Sequence, residues 1–191
     1  MIELKYPFDE KTVRSLKVGD AVAITGRIYT GRDKLHKFFS DGGNLEVDFR
    51  DGALYHCGPV IVGEGSESKP YVVKAAGPTT SVRENPYEPD FIAKTGVRLI
   101  IGKGGMDKNT LDAMKRYGAV YIQAVGGAAA ISAAAVKKVA GVSHLKEFGA
   151  AEALWHFDVV DFRGVVAMDS HGESLFEKVE ISSREKLNKM I

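Results

Sequence analysis

The sequence is poor in residues that bind metals. Its 191 residues include one cysteine, Cys57, which cannot form an intramolecular disulfide and cannot alone hold an iron–sulfur cluster. Such a cluster takes about four thiolates, or fewer with other ligands. The five histidines show no HxH, HExxH or CxxC spacing. We therefore expect no metal site built from this chain alone.

An excess of one charge and a long apolar segment are also missing. The 26 basic and 25 acidic residues nearly cancel and are interspersed, so no basic stripe is available for nucleic acid. No window approaches the roughly 20 apolar residues that span a bilayer. We expect a cytoplasmic protein that binds neither nucleic acid nor membrane. With 45% hydrophobic residues, positions 1–191 are predicted to form a single domain.

Periodicity in the first half predicts mostly strands. An alternating segment at 21–30 indicates a strand that leads into a helix containing KLHKFF (34–39). Further strands are predicted at 54–62 and 71–74, joined by the polar loop 63–70.

In the second half, segments with the periodicity of a strand alternate with segments with the periodicity of a helix. Strands are predicted at 97–101 and 119–125, with helices at 107–117 and 127–139, and this alternation favours parallel strands. An antiparallel pair at 153–161 and 164–169, turning at Phe162-Arg163, precedes a helical tail. The predicted class is α/β, with a mixed sheet and flanking helices.

Three glycine-flanked segments place cations or hydroxyls where strands end: TGRD (30–33), GPTTSVR (77–83) and GKGGM (102–106). In α/β sheets, ligands gather outside the carboxyl ends of strands. We predict that a helix begins after Pro78 and directs free N–H groups, with the hydroxyls of Thr79, Thr80 and Ser81, at an anion. The cations Arg32, Arg83 and Lys103 suit a dicarboxylate, and a phosphate equally well.

Each segment also has an ordinary explanation when taken alone. TGRD is typical of a helix entry and GPTTS of a capped helix start. GKGGM is not a Walker motif, because Gly104 replaces the Ser or Thr that would hold magnesium. Cys57, with no cation beside it in sequence, is interpreted as a buried inert thiol. His36 is predicted either to orient a carboxylate or to be a hydrogen-bonded structural histidine.

Six ordered blocks carry a resemblance that none establishes singly. They are TGRDxxH (30–36), HCGP (56–59), GPTTSVR (77–83), GVRLIIGKGGM (96–106), GAVY…GGAAA (118–130) and FGAAEALW…DF. They cover nearly the whole chain, from about Gly19 to His171. In this order the sequence resembles class I fumarases, in their β subunit or C-terminal domain, and closely also the β subunit of L(+)-tartrate dehydratase.

The resemblance implies a swivelling β/β/α domain that closes over a partner α subunit. That subunit holds a [4Fe–4S] cluster whose open iron acts as a Lewis acid on the substrate, so the cluster is bound by the partner and not by this chain. An α2β2-type assembly with room for a β–β contact is implied. The implied catalytic residues are Thr79, Arg83 and Lys103. The substrate-binding set comprises Arg32, Thr79, Thr80, Arg83, Lys103 and His36.

Three functional alternatives remain at this stage. The favoured one is reversible hydration of fumarate to malate, since Thr30-Gly31-Arg32 resembles fumarases. The β subunit of L(+)-tartrate dehydratase is the second, because GPTTSxR and GKGGM resemble that enzyme better. A non-catalytic anion-binding or assembly module is the third. Thr79 is either the base, if a neighbouring group activates it, or a hydrogen-bond donor to a carboxylate.

Overall fold

The computed structural model describes residues 1–190. Its strands are β1 (Ile2–Lys5), β2 (Ala21–Gly31), β3 (Ala53–His56), β4 (Val60–Val62), β5 (Val72–Ala75), β6 (Leu99–Gly102), β7 (Val120–Gln123), β8 (Val136–Ser143) and β9 (Leu154–Met168). Its α-helices are α1 (Glu10–Ser15), α2 (Asp33–Ser40), α3 (Glu88–Thr95), α4 (Lys108–Tyr117), α5 (Ala129–Ala135), α6 (Leu145–Phe148) and α7 (Leu175–Asn188). None of the helices within residues 1–190 has the length and apolar character of a membrane span.

One sheet organises the chain. Strands β2, β3, β6 and β7 run parallel, and β9 pairs antiparallel with both β7 and β2, so these five strands close into a ring. Strand β1 extends the ring beside β2, β8 extends it beside β9, and β4 and β5 form a separate hairpin. The predicted α/β class, with a mixed sheet and flanking helices, is confirmed.

Both faces of the central strands are buried. In β6, Leu99 and Ile101 join one apolar cluster, whereas Ile100 joins a second cluster that includes side chains of α3 and α4. A strand covered on both faces shows a continuous apolar run rather than alternation. This burial explains why the short segment VRLII already indicated a strand in the sequence.

The predicted hairpin at 153–169 is wrong. Residues 154–168 form one continuous strand, β9, which crosses Phe162-Arg163 without turning back. Gly164 suggested a turn, but a Cβ there would overlap the Ile122 side chain of β7. The glycine therefore permits close approach of a neighbouring strand, and pairing along both edges of β9 outweighs the local turn preference.

Two other boundaries differ from the prediction. The alanine-rich helix ends at Ala135 instead of 139, because residues 136–143 pair with β9 as strand β8. The predicted strand 54–62 is broken between β3 and β4, where Cys57 instead forms an isolated bridge with Pro78. In both places long-range strand pairing overrides local helix or strand propensity.

The buried hydroxyl of Thr30 fastens β2 to β9, because it donates to the Ala153 carbonyl (3.1 Å) and accepts from the Trp155 N–H (3.0 Å). Thr30→Val keeps the shape but leaves both backbone groups unpaired, so we expect the free energy of unfolding to fall by about 2 kcal/mol. Denaturant unfolding measures this loss. Thr80→Val, the same substitution at an exposed site, should change the free energy by less than about 0.5 kcal/mol; an equal effect of both variants would contradict the assignment.

Candidate functional site

The carboxyl ends of the parallel strands bring the predicted cationic segments to one edge of the sheet. Gly31 at the end of β2 pairs with His56 at the end of β3, and β3 in turn pairs with β6. Arg32 directly follows β2, and Lys103 directly follows β6. Parallel register therefore places these two cations at the same edge.

The segment GPTTSVR lies between the ends of β3 and β6. The Thr79 N–H donates to the His56 carbonyl (2.6 Å), and the Lys103 N–H donates to the Thr79 carbonyl (3.3 Å). The Ser81 N–H donates to the Lys103 carbonyl (3.0 Å), and Thr80 forms a parallel bridge with Lys103. The backbone thus holds the predicted hydroxyls of Thr79 and Thr80 beside Lys103.

The predicted α-helix after Pro78 is wrong. Residues Ser81–Glu84 form a single 3₁₀ turn, and Thr80 at its start makes no side-chain capping bond. Four residues provide neither the row of free N–H groups nor the summed dipole of a longer helix. An anion at this edge would therefore meet side chains rather than a helix N-terminus.

Arg32 occupies a slot that requires a glycine opposite it. A Cβ at Gly58 would overlap its Nη1 atom. Nη1 lies 3.4 Å from the Glu152 carboxylate and 3.4 Å from the Ala151 carbonyl, and the side chain is 23% exposed. Its Nε is buried and has no hydrogen-bond partner within residues 1–190. A guanidinium with an unused donor has capacity for a further acceptor.

Arg83 and Lys103 complete the cationic edge. Arg83 pairs with Asp33 at 3.0 Å, and both side chains are 45% exposed, so this pair stays accessible and weak. Lys103 is half-buried, and no carboxylate of residues 1–190 lies within ion-pair distance of its ammonium group. All three predicted cations therefore keep access to solvent at one edge.

Cys57 is poorly suited to bind a metal or to take part in redox chemistry. Its side chain is 1% exposed, and burial raises the pKa of the thiol to about 12. The sequence showed no cation beside it, but the fold brings Arg32 near, and that charge only partly offsets burial. One inert thiol does not fit the ligand set of an iron–sulfur cluster.

A buried polar cluster lies directly behind this edge. His36 Nε2 and His56 Nε2 approach the same oxygen of Glu88, at 3.1 and 3.0 Å, and all three residues are fully buried. His56 Nδ1 lies 2.9 Å from the Ser81 hydroxyl, which lies 2.9 Å from the Tyr121 hydroxyl. His36 therefore has no surface for direct contact with a substrate, and its partners are internal.

Charges inside the cluster shift the pKa values in opposite directions. Burial alone would raise the pKa of Glu88, but the His56 and His36 rings outweigh it and lower the pKa to about 2. Burial alone would lower the pKa of His36, but Glu88 and Glu84 outweigh it and raise the pKa. For His56, burial dominates and the pKa is lowered.

Glu84 is the buried group with fewest partners. Both carboxylate oxygens lack a hydrogen bond within residues 1–190, although one lies 3.4 Å from His36 Nδ1. Burial raises its pKa from 4.5 to about 7, and the carboxylates of Asp33 and Glu88 add to that rise. The folded chain therefore holds a proton on Glu84 across a range where the unfolded chain has lost it.

The consequence is a stability cost that appears as pH rises from about 4.5 to about 7. The Glu84→Gln variant has no proton to lose at this position. We therefore expect the difference in free energy of unfolding between the variant and wild type to grow in the variant's favour by about 1–2 kcal/mol as the pH rises from 4.5 to 8. The gain is partial because His36 loses a neighbour. Urea unfolding at several pH values measures it. Glu185→Gln, at an exposed glutamate, serves as the control and should show no such pH-dependent gain; a flat Glu84→Gln profile would contradict the proton on Glu84.

The ring nitrogens of His36 and His56 and one Glu88 oxygen all lie within 4.8 Å of one another, a spacing that would also admit a cation. Sequence spacing did not reveal this cluster, because its members lie 20 and 32 positions apart along the chain. The only local signal was the pair of acids, Glu84 and Glu88, that follows GPTTSVR. Hydrogen bonds account for the contacts of both rings with Glu88, and the two rings meet edge to face.

This chain is similar to one known protein family and to several individual proteins. The family described as "Fumarase C-terminus" matches residues 1–179. A Geobacillus stearothermophilus protein provisionally named class I fumarate hydratase is 51% identical over 188 residues, covering 98% of this chain but 36% of that protein. The chain thus spans about a third of that relative.

Two further relatives are β subunits. One, from Methanocaldococcus jannaschii and provisionally named L(+)-tartrate dehydratase subunit beta, is 41% identical and covers 98% of this chain and 99% of the relative. The L(+)-tartrate dehydratase subunit beta of Escherichia coli K12 is 32% identical, covering 90% and 85%. The chain therefore belongs to the fumarase C-terminus family, and its relatives carry the names class I fumarate hydratase and L(+)-tartrate dehydratase subunit beta.

Proposed function

We propose that this chain supplies the dicarboxylate-binding half of a hydro-lyase active site, and that a separate α-type subunit supplies the iron–sulfur half. The observation that carries the proposal is the edge where Arg32, Arg83 and Lys103 meet the hydroxyls of Thr79 and Thr80. Two guanidinium groups and one ammonium group match the two carboxylates of a small diacid.

The absence of cluster ligands in this chain supports a partner. Its single thiol is buried, so an iron–sulfur cluster needs another polypeptide. The class I fumarate hydratase relative extends well beyond the matching part, which is consistent with both halves in one chain there. The relatives named subunit beta match nearly end to end, which is consistent with separate chains. Chemistry at the iron belongs to that partner, and an α2β2-type assembly stays our expectation.

The cationic edge stabilises the charge that develops during the reaction. Hydration places a hydroxyl on one alkene carbon and a proton on the other, and the reverse reaction removes that proton next to a carboxylate. The removal moves negative charge onto the carboxylate oxygens. Fixed cations such as Arg83 and Lys103 stabilise this state more than they stabilise the substrate, which lowers the barrier.

Thr79 is the residue that we assign to the proton, either as base or as hydrogen-bond donor. No hydrogen bond within residues 1–190 involves its hydroxyl, and its backbone is fixed at both the N–H and the carbonyl. A threonine hydroxyl is a weak base unless a neighbour activates it. In the base role, an acidic group of the partner subunit would have to provide that activation.

Fumarate is the substrate that we propose, since the relative with 51% identity carries the fumarate hydratase name. L(+)-tartrate is the second candidate, because the relative of the same length, matched over 99% of its chain, carries the tartrate dehydratase name. The two substrates differ in hydroxyl groups, which a few buried polar contacts distinguish. Parallel assays with fumarate, malate and tartrate identify the preferred one.

An apolar groove beside the cationic edge is where we propose that the partner docks. It has a volume of about 490 Å³ and is lined by Val125, Ile131 and Val160, which are 66%, 75% and 47% exposed. It adjoins the edge, since Gly126 lies against the Lys103 stem. Exposed apolar patches of this kind mark interaction sites. Ile131→Lys should fold normally and lose the partner on co-purification; retention of the partner would exclude this face.

Co-purification from the native source tests the proposed function. We expect the chain to be isolated with a larger, cysteine-bearing partner, and the complex to be brown with the broad visible absorption of an iron–sulfur cluster. A colourless chain that purifies alone from anaerobic extracts would support the alternative of a stand-alone anion-binding module.

A further inference from the structure

The ring of His36 lies between two hydrogen-bond acceptors, with a third oxygen close by. Its Nδ1 is 2.8 Å from the Arg32 carbonyl and 3.4 Å from a Glu84 oxygen, and its Nε2 is 3.1 Å from a Glu88 oxygen. A carbonyl has no hydrogen to donate, and an ionised carboxylate has none either. Because the two histidine rings lower the pKa of Glu88, this carboxylate is ionised, so both ring nitrogens of His36 carry a proton and the ring is an imidazolium.

The second ring has a different set of neighbours. His56 Nε2 is 3.0 Å from the same Glu88 oxygen, but its Nδ1 faces the Ser81 hydroxyl at 2.9 Å. A hydroxyl can donate or accept, and the Tyr121 hydroxyl, 2.9 Å from Ser81, can supply the hydrogen that Ser81 then accepts. His56 is thus satisfied as a neutral ring. While Glu84 keeps its proton, below about pH 7, one cation, His36, balances one anion, Glu88.

Each residue of the proposed substrate site is one bond or one short turn from this cluster. The Arg32 carbonyl accepts from both the ring and the backbone N–H of His36. The His56 carbonyl accepts from Thr79. Ser81 donates its N–H to the Lys103 carbonyl and begins the 3₁₀ turn that carries Arg83.

We propose that His36, as an imidazolium, together with Glu88 and His56 forms a positioning core that fixes the relative placement of the substrate-binding segments. The inference deepens, and rests on, the proposed dicarboxylate site. None of the three residues contacts substrate, since all are fully buried. Their effect is to hold Arg32, Thr79 and Lys103 in one arrangement before the substrate arrives, which reduces the ordering cost of binding.

The protonation state of His36 is the direct test, and it needs neither partner nor substrate. Long-range proton–nitrogen correlation spectra of the ¹⁵N-histidine-labelled chain at pH 7.5 should show His36 with two protonated ring nitrogens and His56 with one. A neutral His36 would overturn the proposal. So would a stoichiometric transition metal in the purified chain that Glu88→Gln removes, because a metal would take the Nε2 lone pair.

Two variants of Glu88 separate its charge from its packing. Glu88→Gln keeps the size but removes the charge, so His36 should lose its second proton; Glu88→Asp keeps the charge, so His36 should keep both. In the reconstituted enzyme, Glu88→Gln should lower kcat/KM at least about tenfold, and Glu88→Asp should lower it less. Equal effects of the two variants on the His36 spectrum would overturn the proposal. If Glu88→Gln does not fold, the wild-type spectrum still decides, and that spectrum is independent of the hydro-lyase activity.

Discussion

Lys103→Met is expected to lower kcat/KM of the reconstituted enzyme about a hundredfold. The substitution keeps much of the apolar stem of Lys103 but removes its ammonium group, so one substrate carboxylate loses a charged hydrogen bond that contributes about 1.5–3 kcal/mol. Part of the loss should appear in kcat, because the charge on the carboxylate grows toward the transition state. Steady-state kinetics with the preferred dicarboxylate measures both parameters.

The control for Lys103→Met is Lys11→Met. Lys11 is an exposed lysine on α1. Arg14 of α1 donates to the Lys115 and Arg116 carbonyls at the end of α4, shortly before β7 begins, so α1 lies away from the carboxyl ends of the strands. The control should leave kcat/KM within about twofold of wild type, as for an exposed charge that contacts nothing. A normal kcat/KM in Lys103→Met would show that this ammonium group does not contact the substrate.

Arg83→Lys should lower kcat/KM about tenfold, a smaller loss because a positive charge remains. An arginine binds a carboxylate with two parallel N–H groups, and a lysine ammonium group offers a single point of charge. In the free chain Arg83 pairs with Asp33 at 3.0 Å, and the substrate has to replace that contact. We expect the loss mainly in KM, since the retained charge still stabilises the transition state.

Arg184→Lys is the matched control for Arg83→Lys. Arg184 pairs with Glu180 on the exposed surface of α7, and exposed pairs of this kind contribute little. The same substitution there should leave both kinetic parameters unchanged. If Arg83→Lys behaved like its control, the bidentate contact would not exist, and the substrate-binding assignment would pass to Arg32 and Lys103.

The site edge was predictable from sequence because it follows a general rule of α/β sheets. The TGRD and GKGGM segments directly follow β2 and β6, which both pair in parallel with β3, so Arg32 and Lys103 lie at the same edge of the sheet. The predicted helix after Pro78 failed for a tertiary reason. Backbone bonds from Ser81 and Thr79 to neighbouring strands limit that segment to one 3₁₀ turn.

The buried cluster could not be derived from sequence. His36, His56 and Glu88 lie far apart along the chain and become neighbours only when α2, β3 and α3 pack together. The hypothesis that His36 orients a substrate carboxylate came from its place near Arg32 on a helix face. Its complete burial favours the other hypothesis, a hydrogen-bonded structural role. The Arg32 carbonyl and the Glu88 carboxylate accept from opposite sides of the ring, which keeps the ring positively charged.

Strand β8 and the continuous strand β9 were missed for the same physical reason. The high helix propensity of AAAISAAA carried the predicted helix past Ala135, and Gly164 resembles a turn residue. Residues 136–143 and 154–168 instead satisfy their backbone groups in strand pairs. Sequence periodicity records local preference, whereas closure of the five-stranded ring depends on pairing between β9 and β2, which are more than 120 residues apart.

The most direct test of the central claim is an anaerobic assay of fumarate–malate interconversion with three samples: this chain alone, its cluster-bearing partner alone, and the two combined. We predict negligible activity in each single sample and iron-dependent turnover in the combined sample, because the proposed function assigns the cationic edge and the cluster to different chains. Turnover by this chain alone, without iron, would contradict the account.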